Sequence, residues 1–273
     1  MGQAEAFGGG RYELAELVGQ GGVGAVYRAL QQPLGREVAL KILRPEVAKD
    51  AGIRRRFTQE ARAVASLSHP GIATVFDFGV EDDETLYMAM EFIRGQSLSR
   101  LLERGVAPGY LLAILDPVLA ALAYAHARGV IHRDIKPDNI VIGHMPQTTE
   151  PPSLEVLAQQ PQLVKLVDFG IAVTRGLQGD GSQTTEGEVV GTPLYMAPEQ
   201  ARGVRALTPA VDLYAMGVML FEGLTGRHPF TGIEPDETPM DVMVRHIAMP
   251  VPEIIAPAGI YLPASLTAVV RRC

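Results

Sequence analysis

Cysteine is all but missing from this chain. The one copy, Cys273, is the last of 273 residues, so neither a disulfide framework nor a thiolate metal site is available. A reducing, cytosolic setting is the expectation. Basic excess is missing as well: 24 lysines and arginines face 31 aspartates and glutamates, for a net charge of −7. That balance argues against a nucleic-acid partner, which calls for a basic face. Small anionic ligands stay open, because a few local donors meet them. The N-terminus MGQAEAFGGG lacks the basic stretch and apolar core of a secretory signal. Ala6 stands where the myristoylation pattern needs Ser or Thr, and residues 1–10 read as a flexible leader. The longest apolar stretch, YLLAILDPVLAALAYAHARGVI, is broken by Asp116-Pro117, His126 and Arg128. It reads as a buried helix rather than a membrane span, and no membrane segment is expected in this chain. No internal repeat appears.

What is present is the material of a sizeable core. Apolar residues make up 47% and charged residues 20%, the balance of one large globular domain or two lobes. From Arg11 to about Ile93, short runs such as GAVYRAL, EVALKIL, ATVFDFG and TLYMAMEFI alternate apolar with polar residues or are rich in Val, Ile and aromatics. One helix interrupts them, with Ile53, Phe57, Val64 and Leu67 at helical spacing before HPG stops it. Past Glu91–Gly95 the period becomes helical, over Ser97–Arg104, Pro108–Arg128, Ala210–Thr225 and Met240–Ala248. The expectation is an α+β, two-lobed molecule. A small antiparallel sheet lobe with one helix covers 11–93, and a larger, mainly helical lobe covers 94–273.

Several polar constellations interrupt these patterns. GQGGVGAV spaces Gly19, Gly21 and Gly24 ahead of Val26; glycines let backbone amides close on phosphates. The dinucleotide-binding version needs a helix to begin inside the motif, and here AVYRAL continues as a strand. Lys41 ends a buried-looking strand, and Glu60 follows nineteen residues later on an amphipathic helix. A pair between them would aim the ammonium at phosphate oxygens. In VIHRDIKPDNIVI, six polar side chains crowd between two apolar runs: His132, Arg133, Asp134, Lys136, Asp138 and Asn139. Packing alone does not explain them. Asp-Phe-Gly occurs twice, at 77–79 and 168–170, and the tripeptide alone does not say which aspartate carries chemistry. The remaining histidines are scattered without the pairing of a transition-metal site, and the methionines read as core filler.

Taken in order, these residues resemble the eukaryotic-type (Hanks-type) serine/threonine protein kinases, in a bacterial form. The match runs through Gly19/Gly21/Gly24/Val26, Lys41, Glu60, Asp134/Asn139, Asp168-Phe169-Gly170 and Ala197-Pro198-Glu199. The resemblance implies that ATP is bound with Mg²⁺, Mn²⁺ being the alternative. Lys41 would contact the α- and β-phosphates and be held by Glu60. Asp134 would accept the proton of the substrate hydroxyl, and Asn139 and Asp168 would hold the metal. Lys136 would steady the transferring phosphate, with Thr192 packed against it. Gly19, Gly21, Gly22 and Gly24 would cover the phosphates. Val26, Ala39 and Val141 would stack the adenine, with Met90 behind it and the Glu91 and Ile93 backbone bonded to it; by patterning alone these apolar residues serve equally as core. His132 would pack under the loop, and Asp212 would brace the loop's backbone. The stretch between Asp168 and Glu199, with GLQGDGSQTTEGEVV inside it, would be the activation segment, with Ser182, Thr184 and Thr185 as phosphosites and Arg133 as the partner of an added phosphate. Protein substrates bearing Ser or Thr are implied, together with self-association for autophosphorylation in trans. Bacterial members often carry a membrane tether outside the catalytic domain.

Two features depart from the pattern. Gly143–Gln162 separates two strands that should pair through a short connection; it reads as a surface insertion in which SLEVLAQQ makes one or two helical turns. LPASLTAVVRRC reads as a helix cut off at Cys273, with no arginine in sight for Glu199. That departure keeps open a nucleotide-binding scaffold or inactive fragment, which the intact Lys41, Asp134, Asn139 and Asp168 oppose. A small-molecule phosphotransferase is disfavoured by GTPLYMAPE, a segment suited to peptide docking. Of the two Asp-Phe-Gly copies, Asp168 belongs beside the phosphates by its neighbours. Asp77 should end a small-lobe strand, solvated.

Overall fold

Alternating apolar and polar positions build the first third of the chain into an antiparallel sheet of six strands. In the computed structural model, which describes residues 5–21, 24–45, 51–81, 84–146, 148–169, 193–204, 206–234, 236–255, 259 and 261–272, β1 (Glu5–Phe7), β2 (Tyr12–Gln20), β3 (Gly24–Gln31) and β4 (Arg36–Leu43) follow one another. β6 (Leu86–Glu91) and then β5 (Val75–Val80) complete the sheet. Successive side chains of a strand face opposite ways, and β6 uses both faces. Leu86, Met88 and Met90 join the main core with Phe57, Ala61 and Val64 of helix α1 (Ala51–Ala65). Tyr87 and Ala89 join a second cluster with Tyr12, Val38 and Leu40.

That second cluster changes two expectations. Residues 5–7 of the expected leader pair with Tyr12–Leu14, and Phe7 sets its ring edge-on to Tyr87 at 5.5 Å. Covering an aromatic ring offsets the entropy lost in ordering a short strand. Asp77 is not simply solvated. Its Oδ2 accepts from Tyr12 Oη at 2.8 Å and Tyr87 Oη at 3.0 Å, with Arg11 Nη1 at 3.5 Å. Both tyrosines are buried and their hydroxyls must find an acceptor; the alternation of β5 puts Asp77 on their face.

Beyond β6 the chain crosses into a mainly helical lobe. A small antiparallel sheet of β7 (Gly95–Ser97), β8 (Ile140–Gly143) and β9 (Val164–Leu166) lies at its top. Helix α2 (Leu98–Leu102) follows β7, and α3 (Pro108–His126) runs through the lobe. By length and composition α3 could cross a membrane, yet Leu111, Ile114, Leu115, Val118, Ala121, Leu122 and Ala125 are buried in the main core. The strands β8 and β9 pair as expected, Ile140 facing Leu166. The 143–162 connection folds back on the lobe: α4 (Leu154–Gln159) is capped by Ser153 Oγ, which accepts from Val156 N at 3.3 Å. Leu157 is buried there, and Tyr110 Oη of α3 donates to Pro152 O at 2.8 Å. Helices α5 (Pro198–Ala201), α6 (Ala210–Thr225), α7 (Pro239–Ala248) and α8 (Ala264–Val270) complete the lobe. The two-lobed α+β architecture is the one the sequence led us to expect.

Candidate active site

The cleft between the lobes gathers side chains from β4, α1, the 130–139 loop and the residues after β9. The loop is fixed from below. Asp212, in the first turn of α6 and 1% exposed, accepts from the backbone amides of His132 at 2.9 Å and Arg133 at 2.8 Å. His126 Nε2 lies 2.7 Å from the same carboxylate. Burial alone would push the Asp212 carboxyl up; His126, His132 and the two amides outweigh it and hold the group below its usual range. The loop backbone adopts a left-handed turn at Arg133, φ 68°, and Gln200 Nε2 of α5 donates to the Arg133 carbonyl at 2.9 Å. The Asp212 brace was expected from the sequence. His126 and Gln200 were not, because they reach the loop only through the packing of α3 and α5.

His132 is fully buried beneath the loop. Its Nε2–H donates to Val167 O at 3.1 Å, its Nδ1 accepts from Asp134 N at 3.3 Å, and its ring lies 4.5 Å from that of Phe169. Burial lowers its pKa, so it stays a neutral prop. Asp134 itself is half-buried. Lys136 Nζ donates to its Oδ2 at 2.8 Å, and Asn139 Nδ2 donates to its carbonyl at 2.7 Å and to Oδ2 at 3.1 Å. Burial would lower the Lys136 pKa, but Asp134 prevails and raises it, so the ammonium stays charged.

Lys41 rises from β4 opposite Val26 of β3 and Met88 of β6. It is ion-paired with Asp168, whose backbone is also left-handed, φ 55°. Burial pushes the Asp168 carboxyl up, and Lys41 more than offsets this, leaving it below the usual carboxylate range. The expected Lys41–Glu60 pair is not among the described ion pairs. Glu60 instead meets Arg133 Nη1 at 2.8 Å. The physical reason is competition between carboxylates for cations. The ammonium of Lys41 settles on Asp168, and Glu60 has the guanidinium of Arg133 within reach.

The expected adenine positions fall on strands of both sheets. Ala39 pairs with Met90 across β4 and β6, and Val141 pairs with Ser97 and Lys165 across β7–β9. Met90 is buried, whereas Ala39 and Val141 are half-buried. The Glu91 amide is already bonded to Thr74 O at 2.8 Å, and its side chain accepts from Lys165 and the Thr74 amide. Ile93 lies two residues farther along the connection. Gly19 and Gly21 have open space around them, and Gly21 N bonds Gly24 O at 2.9 Å. Gly24 answers to a different constraint: a Cβ there would stand 2.2 Å from Ile42 O, so the close approach of β4 demands glycine. Gly22, Ser182, Thr184, Thr185 and Thr192 lie outside the described residues.

A hard divalent cation suits the donors present. Asn139 commits its amide nitrogen to Asp134, which leaves Oδ1 to coordinate, and Asp168 offers a carboxylate. Among the described residues no cluster of three or more His, Cys, Asp or Glu side chains forms a self-sufficient metal cage. Two protein oxygens fit an ion that takes its other ligands from phosphates and water. Below the cleft, residues 193–199 are anchored to the helical lobe. His228 Nε2–H donates to Leu194 O at 2.6 Å, and Tyr195 Oη donates to Glu222 Oε2. The Glu199 carboxylate forms no ion pair among the described residues.

Known proteins share both the sequence and the architecture around this cleft. The family model for the protein kinase domain matches residues 12–259. The serine/threonine-protein kinase pkn3 of Myxococcus xanthus is 42% identical over 223 residues, 81% of this chain and 38% of that protein. PrkC of Bacillus subtilis is 38% identical over 245 residues, 89% of this chain and 34% of its own length. PknA of Mycobacterium tuberculosis is 38% identical over 252 residues, 90% of this chain and 53% of its own. The chain thus spans from about a third to about half of these relatives. Among solved structures, a single-site mutant of the Mycobacterium tuberculosis PknI kinase domain superposes with a TM-score of 0.63 at 28% identity, covering 87% of this chain and 82% of that one.

Proposed function

We propose, from the premise that this chain belongs to the protein kinase family, that it transfers the γ-phosphoryl group of ATP to serine and threonine hydroxyls of proteins. The observation that carries the proposal is the Asp134 constellation. One carboxylate is held by Lys136 and Asn139 on a loop that Asp212 and His132 fix from beneath. Asp134 accepts the hydroxyl proton as the oxygen attacks phosphorus, and Lys136 stays charged beside it to offset the negative charge of the moving group. Transfer of this kind relies on positioning and charge, with turnover of about 1–100 s⁻¹. Family membership implies a divalent metal; we assign it as Mg²⁺, held by Asn139 Oδ1 and Asp168, where it would neutralise phosphate charge. The adenine would lie among Val26, Ala39, Met90 and Val141, bonded to the Glu91 carbonyl and Ile93 amide, with residues 11–93 as the upper jaw.

Lys41 and Glu60 have exchanged partners relative to the arrangement the resemblance implies, and that exchange suggests how the site is regulated. A phosphate added to Ser182, Thr184 or Thr185 would compete with Glu60 for Arg133. Glu60 would then be released to hold Lys41 against the α- and β-phosphates. Autophosphorylation through self-association fits this arrangement. The same exchange favours a second reading, a nucleotide-binding scaffold that does not catalyse. Incubation with Mg-ATP and mass spectrometry of residues 182–185 separates the two. The kinase reading expects phosphate on the wild type and none on Asp134→Asn; an unmodified wild type supports the scaffold, and equal labelling of the variant removes Asp134 from the role of base.

A further inference from the structure

Helix α1 carries a second charged feature that the transfer reaction does not use. Four arginines and one glutamate lie between residues 54 and 62, in a chain whose net charge is −7. Two of the five are committed: Arg54 pairs with Glu84 at 2.7 Å, and Glu60 pairs with Arg133. Arg55, Arg56 and Arg62 enter no ion pair among the described residues. Arg55, Gln59 and Arg62 fall at i, i+4 and i+7, so they stack along one face of the helix. All three are exposed. Phe57, Ala61 and Val64 bury the opposite side against the sheet. An open recess of about 450 Å³ is lined here by Arg55, Thr58, Gln59 and Arg62.

The geometry points to a docking site for a phosphorylated protein segment on this outer face of α1, with the phosphate held between Arg55 and Arg62. Charge complementarity selects an anion, and the donor set selects a phosphate over a carboxylate. Two guanidinium forks and the Gln59 amide offer more donors than the two oxygens of a carboxylate can accept. A phosphomonoester brings three oxygens and a charge of about −1.5 to −2. Thr58 adds no donor, because its hydroxyl already donates to Arg54 O at 3.0 Å; the anion therefore rests on the arginines and Gln59. The site faces away from the side of α1 that holds Glu60, so it is separate from any phosphate that Arg133 takes. It also stands independently of the role given to Asp134.

The test uses the full chain carrying Asp134→Asn, which prevents turnover, at physiological salt. The probe is a short acidic peptide with one phosphothreonine, compared by fluorescence anisotropy with the same peptide carrying threonine. The phosphopeptide should bind at least tenfold more tightly, and Arg55→Gln with Arg62→Gln should remove about that tenfold difference. Arg55→Lys with Arg62→Lys keeps the charge but loses the fork, and should weaken binding several-fold. Equal binding of the two peptides would overturn the site, as would undiminished affinity in the glutamine pair. Full affinity in the lysine pair would reduce it to non-specific attraction and overturn it equally.

Discussion

The two Asp-Phe-Gly segments share a tripeptide and almost nothing else. Asp77 sits within β5 and faces two phenols and a guanidinium, a neighbourhood it holds together as their common acceptor. Asp168 follows β9 in a left-handed conformation and faces the ammonium of Lys41 across the cleft. Phe78 packs on the edge of the main core, whereas Phe169 lies under the loop against His132. A Cβ on Gly79 would come within 2.9 Å of Tyr87 Oη, so that glycine serves the packing of β5 on β6. One segment ties a sheet together, and the other presents a carboxylate to the Lys41 ammonium of the opposite lobe. The difference lies in what each carboxylate meets, which the tripeptide does not encode.

If that comparison is right, loss of either aspartate should show in a different measurement. Asp168→Ala should lower phosphotransfer by about 10³-fold or more, because it removes an electrostatic partner of the transferring group. Its melting temperature should fall less than that of an Asp77 variant, since the carboxylate it removes is 30% exposed and meets one ammonium. Kinase assays on a generic Ser/Thr protein substrate, with thermal unfolding in parallel, measure both. A large loss of stability without loss of rate would reverse the assignment.

Asp77→Ala should do the opposite. Two buried phenols lose their acceptor, and folding stability should drop by about 1–3 kcal/mol. Turnover at a temperature where the protein stays folded should be nearly unchanged. Urea unfolding and a rate measured on the same preparation test it, and a rate loss comparable to that of Asp168→Ala would sink the structural reading of Asp77.

How far the sequence revealed these roles depends on how local the signal is. Lys41, Asp134, Asn139 and Asp168 stand in a fixed order at fixed spacings, and each ends or follows an element whose periodicity is plain; their meeting in one cleft could be anticipated. Helix α1 and the strands β3, β4 and β6 declare themselves by period. The partners of Asp77 are 65 and 10 residues away, on strands β2 and β6. Nothing in VFDFGVEDDE specifies that two tyrosine hydroxyls will be buried beside it. The strand at 5–7 was hidden for a similar reason: it exists because Phe7 finds Tyr87, a contact made across the sheet. The exchange of Lys41 and Glu60 was illegible for another reason. Glu60 and Asp168 carry the same charge, and a sequence does not rank two carboxylates that compete for one ammonium.

The finest test of the comparison is alkaline titration, because the two segments should respond to pH differently. Burial raises the Tyr12 pKa from its ordinary 10.0, and its bond to Asp77 raises it further. Tyr87 is raised by burial and by the same carboxylate. Above pH 10 the unfolded chain therefore releases these protons while the folded state keeps them. The folded state then binds more protons, and stability falls as pH rises through that window. Tyr12→Phe should cost about 1 kcal/mol at neutral pH for one lost hydrogen bond, yet it should flatten the alkaline fall. In the double variant with Asp77→Ala the combined neutral-pH loss should be smaller than the sum of the two single losses, because they share a bond. Asp168 is depressed by Lys41, so its contribution is complete above the ordinary carboxylate value and is lost only as pH falls through its lowered one. Urea midpoints between pH 8 and about 11 should thus change in the Tyr12 variant and keep the wild-type slope in Asp168→Asn. An alkaline slope that Tyr12→Phe leaves intact would detach Asp77 from the phenols and return it to the solvated strand end that its neighbours in the sequence suggested.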